Sequence, residues 1–257
     1  LRLGRRWLGT GRGFALRLAP IGWLERGRAW SIEVDDQPDP RRTAMCGRIG
    51  VLDLTPPLEY FEKIFAHIGK RNPRPMVELF GGEPLVRKDI LEIIAIGRKN
   101  GLKPRVVTNG LALADEEFCR QFCEAGGRAR FGFDGRSPDI YEKLRNNRGA
   151  YEKKMKALEN LKKYSRRRHA IISCAAYGIN DQYLADLIQY CHDNRDLISE
   201  VGIIPLTENW EEGTFTAAVH TTMEDVEKMV AAAIPGGQVE FVPAGLTYCL
   251  RKPSSFI

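Results

Sequence analysis

Between residues 30 and 206 the chain alternates short apolar runs with longer segments whose apolar residues recur at helical spacing. That alternation restricts the fold more than any other feature. Trp30-Ser31-Ile32-Glu33-Val34 reads as a first strand, Met76 to Phe80 as a second and Arg105 to Thr108 as a third. Arg128 to Phe133, 169–176 and Glu200 to Pro205 complete six. The first intervening helix is opened by Thr55-Pro56-Pro57, a hydroxyl cap with proline at the first positions, and carries Leu58, Phe61, Phe65 and Ile68 on one face. Further helices are expected at about Lys88 to Lys99, Asp115 to Ala125, Gly149 to Tyr164 and 181–194. The Gly149 to Tyr164 helix has Tyr151, Met155, Leu158 and Leu161 as its apolar positions. Strands and helices in this order predict an α/β protein of βαβ units, with a parallel sheet and right-handed connections. Whether such a succession closes toward a barrel or stays an open sheet, ligands are met at the carboxyl ends of the strands. Three polar or glycine-rich breaks fall at those ends: Gly81 to Pro84, Thr108 to Gly110 and Asp134-Gly135.

Composition excludes several other classes. Hydrophobic residues at 43% and charged residues at 28% suit one sizeable core, not a disordered chain or a disulfide-stapled miniprotein. No run approaches 18 apolar residues, so no membrane span is expected. A net charge of +6 is a mild excess, short of a nucleic-acid-binding signature. Residues 1–28 hold seven arginines, no lysine and one acid, Glu25, and read as a basic N-terminal extension; the absence of serine argues against a transit peptide. Residues 29–206 form the core of the fold. Residues 207–257 read as a small C-terminal cap, with a helix opened by the capping box Thr221-Thr222-Met223-Glu224 and a short strand near Val239 to Pro243. Within it, Glu208-Asn209-Trp210-Glu211 follows the sixth strand and either reaches a substrate or plugs the mouth of the fold.

Six cysteines with no export signal favour a reduced compartment, so the cytoplasm is the expected location. Cys191 completes the apolar stripe Leu184, Leu187, Ile188, Cys191, and Cys174 lies in a core strand. Cys119 and Cys123 share one side of a helix and read as core thiols rather than metal ligands. The four histidines are scattered singly. The basic run Lys162 to Arg168 suits a helix end, with contact to an acidic partner or to RNA as its functional alternative.

Gly81-Gly82-Glu83-Pro84 carries the most information about function. The glycines let a ligand approach the backbone, Pro84 stiffens the exit, and Glu83 is an acceptor suited to an ammonium group. It stands in order with Val106-Val107-Thr108-Asn109-Gly110, Phe133-Asp134-Gly135 and Tyr141-Glu142-Lys143-Leu144-Arg145. Over roughly residues 30–206 this set resembles the radical S-adenosylmethionine (radical SAM) superfamily. The resemblance implies a partial (β/α)6, TIM-like barrel and S-adenosylmethionine as cofactor. It assigns Gly81, Gly82, Glu83 and Pro84 to the methionine ammonium, places Thr108 and Asn109 beside the ribose and methionine part, and offers Arg145 to the cofactor carboxylate. Members with serine at the Gly132 position use it as a polar contact, which this chain lacks.

The superfamily's activity is reductive cleavage of the cofactor to a 5′-deoxyadenosyl radical that abstracts hydrogen from a substrate. A reductant protein is the implied partner, and small molecules, peptides and lipids are among the substrate classes. The reaction uses a 4Fe–4S cluster held by Cys-x3-Cys-x2-Cys after the first strand. Here Cys46 occupies the third ligand position, and Asp39 and Thr43 occupy the other two. The motif is in place by position but not by chemistry, because iron–sulfur clusters take soft thiolates. Three readings stay open from sequence: a member that binds S-adenosylmethionine or a related nucleotide without radical chemistry, an active enzyme with its ligands in another register, or a likeness of fold alone.

Overall fold

The computed structural model describes residues 56–206 and 220–234, together with the backbone of four short strands at 15–18, 29–33, 242–243 and 255–256. Six strands lie side by side in parallel and in chain order: β2 (Ala29–Glu33), β3 (Met76–Phe80), β4 (Arg105–Thr108), β5 (Ala129–Gly132), β6 (His169–Ala175) and β7 (Ile198–Pro205). β1 (Ala15–Leu18) adds to β7 in parallel, and β9 (Ser255–Phe256) and β8 (Val242–Pro243) continue antiparallel. Each crossover among the six carries helix: α1 (Leu58–Ile68), α2 (Ile90–Lys99), α3 (Glu116–Glu124), the pair α4 (Pro138–Arg145) and α5 (Ala150–Tyr164), and α6 (Leu184–Asp193). α7 (Met223–Ala233) packs on α6 and β7 and puts Val226 and Val230 into the same core.

Alternation along the strands sorts the side chains into two faces. Val77, Leu79, Val106, Phe131, Ile171, Val201 and Ile203 are wholly buried and pack with Phe61, Phe65, Ile93, Phe122, Leu161 and Leu187 of the helices. Burying each such side chain contributes about 1.5–3 kcal/mol relative to exposure. On the other face the same register carries charge. Arg130 reaches Glu78 across β4 at 3.1 Å and Glu200 across β6 at 2.8 Å. Arg105 Nη1 lies 3.5 Å from Glu200 and 3.8 Å from Glu78. β4 and β7 are separated by two strands, about 14 Å in a flat sheet at 4.8 Å per strand. Arg105 meets Glu200 because the sheet is concave, and each of the two acids meets both arginines inside a partial barrel.

The elements depart from the sequence expectations at three points. Pro57, not Thr55, occupies the cap of α1 and makes no side-chain bond there, while Thr55 lies outside the described residues. The capping box of α7 is Thr222 with Asp225, one residue later than expected. The Thr221 hydroxyl instead accepts from the Tyr177 N–H, which draws it out of the cap. α4 is an additional helix, started by Ser137 and Pro138 and ended at Asn146 in the left-handed region. Among the described residues no helix is long and apolar enough to cross a membrane.

Candidate functional site

The carboxyl ends of β3, β4, β5 and β6 are joined by one buried polar network. Leaving β3, Glu83 caps a single turn of 3₁₀ helix at Pro84–Val86, its Oε1 accepting from the Leu85 N–H at 3.2 Å. The same oxygen accepts from the Thr108 hydroxyl at 2.5 Å, and Oε2 accepts from the Asn109 N–H at 2.7 Å. Glu83 is 4% exposed. Burial pushes its carboxyl up, against the pull of those donors and of Lys154. The β4 turn is closed by its own side chains: Thr108 Oγ1 accepts from Gly110 N–H at 2.9 Å and Asn109 Oδ1 from Leu111 N–H at 2.8 Å. Gly110 sits at φ 80°, and a Cβ there would lie 2.0 Å from the Phe131 ring, so glycine is required on both counts.

At the end of β5, Asp134 is the junction. Its carboxylate holds Arg145 in a two-point fork, Nε to Oδ2 at 2.9 Å and Nη2 to Oδ1 at 3.0 Å, and accepts from the Cys174 N–H of β6 at 2.9 Å. Asn180 bonds Asp134 O, Cys174 O and the Ala176 N–H, which ties the same two strand ends again. The Tyr141 hydroxyl accepts from Asp134 N–H and donates to Gly135 O. Burial pushes that phenol well above its usual range. Lys154 of α5 lies beneath this rim at 4% exposure, its Nζ donating to Gly132 O at 2.5 Å and to Asn109 O. Burial pulls its ammonium down to about 8, with Asp134 and Glu83 opposing and Arg145 reinforcing.

Of the residues expected at the site, Glu83, Thr108 and Asn109 are therefore in direct contact, with Gly81, Gly82 and Pro84 in the same turn. Arg145 joins them through Asp134 and the strand ends, its side chain still 20% exposed. Cys46, Asp39 and Thr43 lie outside the described residues. In the register the superfamily's motif implies, the donor set does not suit a cubane cluster: one thiolate, one carboxylate and one neutral hydroxyl stand where three thiolates are needed. Among the described residues no three His, Cys, Asp or Glu side chains assemble as a metal site. Cys119, Cys174 and Cys191 are buried cysteines outside any disulfide, and Cys123 is half-buried. His169 is a core residue whose Nδ1 accepts from Ala129 N–H at 3.0 Å.

Sequence reading missed Lys154 and Asn180. The signal for Lys154 was present: it stands three residues after Tyr151 and four before Leu158, on the apolar stripe of α5, where a lysine is out of place. Asn180 carried no signal, because its role depends on β5 and β6 being neighbours.

The chain matches the family model of the radical SAM superfamily over residues 45–191, more than half its length. The match takes in Cys46 and begins after Asp39 and Thr43. A 7,8-dihydro-6-hydroxymethylpterin dimethyltransferase of Methanocaldococcus jannaschii is 28% identical over 59% of this chain and 30% of its own length. An AdoMet-dependent heme synthase of Methanosarcina barkeri is 32% identical over 41% of this chain and 29% of its own. A probable GTP 3′,8-cyclase of M. jannaschii is 28% identical over 51% and 44% respectively. The chain thus spans less than half the length of these curated relatives. Among solved structures, anSMEcpe with bound AdoMet and the Cp18Cys peptide superposes with a TM-score of 0.60 at 17% identity, covering 80% of this chain and 58% of that one. Streptococcus suis SuiB bound to S-adenosylmethionine gives 0.59 at 13% identity, covering 79% and 46%. These likenesses establish the fold.

Proposed function

Because the chain belongs to the radical SAM superfamily, we propose that it binds S-adenosylmethionine at the carboxyl rim of the barrel, with Gly81 to Pro84 receiving the methionine ammonium. The observation that carries this reading is the bonding of Glu83. Two carboxylate oxygens offer about four lone-pair sites, and three are taken by Leu85, Thr108 and Asn109. Among the described residues one acceptor position stays unfilled on Oε2, on a carboxylate whose geometry is already fixed, so an ammonium N–H needs no rearrangement to be met. Thr108 and Asn109 then border the same ligand, and Arg145, held by Asp134, supplies the cation for its carboxylate.

Within the superfamily the cofactor bound to a reduced cluster supplies a 5′-deoxyadenosyl radical. Asp39, Thr43 and Cys46 do not form the thiolate set such a cluster takes, so the reading for this chain is cofactor binding without a stoichiometric cluster.

Calorimetric titration of S-adenosylmethionine, with the melting temperature read in parallel, tests the proposal. Saturable binding and a rise in melting temperature are expected without iron, by mass action on the folded state. Glu83→Ala should remove both. It should also lower the melting temperature of the free protein, since each buried donor left unsatisfied costs about 1–3 kcal/mol. A Glu83→Ala protein that binds as tightly as the parent would take the ammonium site away from this turn.

A further inference from the structure

Lys154 is a buried ammonium with no direct ion pair among the described residues. Lysine is almost never fully buried without a partner, because desolvating the charge costs several kcal/mol. The remainder of its helix face is apolar apart from Asn160, with Ala150, Ala157, Leu158 and Leu161 buried beside it. A methionine or leucine at 154 would complete that face without the desolvation cost. What the ammonium does instead is hold two backbone carbonyls, Asn109 O at the end of β4 and Gly132 O at the end of β5. The faces of Phe131 and Tyr141, with centroids 5.2 and 5.6 Å from Nζ, enclose it. Glu83 meanwhile holds the N–H of the same Asn109. Asn109 is thus clamped at its N–H by a buried anion and at its carbonyl by a buried cation, each from a different element.

We propose that Lys154 is a positioning residue for the cofactor, pinning the strand ends of β4 and β5 so that the rim facing S-adenosylmethionine is formed before the ligand arrives. The inference rests on the cofactor reading given above. A preformed rim raises affinity by sparing the cost of ordering it on binding. The charged groups around the ammonium are Glu83 after β3, Asp134 after β5, Arg145 at the end of α4, and the phenol of Tyr141 within α4. The clamp is strongest with the protonated lysine, because a charged N–H binds a carbonyl about twice as strongly as a neutral amine N–H. Burial holds its pKa near 8, so affinity falls as pH rises through that value and is full below it.

The test is calorimetric titration of S-adenosylmethionine from pH 6.5 to 9.0, well below the melting temperature, on the parent, Lys154→Met and Lys154→Gln. Lys154→Met should bind about tenfold weaker or worse at pH 7, a loss of about 1.4 kcal/mol. It should also show a shallower pH dependence than the parent, the remainder belonging to the ligand's own amino group, which titrates near 7.7–8.0. Lys154→Gln keeps an amide NH2, two N–H donors without the charge, and should fall between the two, which secures the comparison if Lys154→Met does not fold. A merely structural lysine would lower the melting temperature and leave affinity and pH profile parallel to the parent, and that result overturns the inference alone. Failure of the parent itself to bind would overturn the cofactor reading, and this inference with it.

Discussion

Glu83 and Lys154 show how differently two side chains of one network can be read from sequence. Glu83 stands in a motif whose residue types are dictated locally, two glycines, an acceptor and a proline, so its importance was visible without the fold. Lys154 carried a weaker signal, its place on the apolar stripe of α5, which is easily passed over among the solvent-exposed Lys153 and Lys156 of the same helix. Arg145 lies between these cases, legible as a rim cation, while its partner Asp134 required the turn before α4 to fold back. Gly132 gives a prediction at this scale. A Cβ at 132 would meet Thr108 O at 3.4 Å, Asn109 Cα at 3.8 Å and Lys154 Nζ at 3.9 Å, all ordinary contacts, and the backbone is not in the left-handed region. Gly132→Ser should therefore be accepted by the fold and place a hydroxyl beside the cofactor rim. The expected outcome is a melting temperature at or slightly above that of the parent, since the unfolded chain loses glycine's freedom, and tighter S-adenosylmethionine binding by calorimetry. Unchanged affinity would mean that the β5 end does not face the ligand.

At the scale of elements, strands were the more legible because they are buried on the helix side and bounded by glycine and proline. β3 and β4 span the residues expected, and β5, β6 and β7 differ only at their ends. Helix starts were less so, since Thr221 and Thr222 are both competent caps and only the contact of Thr221 with Tyr177 decides between them. α4 is short and was subsumed in a motif. His169 couples three of these elements. Its Nδ1 accepts from Ala129 at the start of β5, its Nε2 meets Ser165 at the end of α5, and it opens β6 itself. Burial, with Arg128 and Arg105 adding to it, pulls the imidazole down to about 3. The ordinary value is near 6.5, so between these pH values the unfolded chain takes up a proton that the folded one refuses. Stability from this residue is fully present above about 6.5 and is lost on acidification toward 3, at about 1.4 kcal/mol per pH unit. Chemical denaturation at pH 7.5 and 5.0 should show that slope in the parent and a flatter one in His169→Asn. Parallel slopes would mean that the imidazole is reached by protons in the folded state.

For the molecule as a whole, six parallel strands in chain order were evident from the alternation of apolar runs with helical periodicity, and the carboxyl rim followed from it. What the sequence could not convey is the closure inside the barrel. Glu78, Arg105, Arg130 and Glu200 are far apart in the chain and lie on four strands. Their pairing depends on a curvature that no local pattern encodes. Two features of unequal chemistry meet in this chain: a carboxyl rim whose polar groups are ordered around Glu83, Asp134 and Lys154, and, in the register the superfamily's motif implies, Asp39, Thr43 and Cys46, with one thiolate where the superfamily has three. Anaerobic reconstitution with iron and sulfide, followed by counting iron, sulfide and bound S-adenosylmethionine on the same desalted sample, examines both together. About one equivalent of S-adenosylmethionine and well under the roughly four irons of one cluster per chain are expected, with Asp39→Cys plus Thr43→Cys raising the iron toward that value. A stoichiometric cluster in the unaltered chain, or a chain that retains no S-adenosylmethionine, would contradict the proposed function.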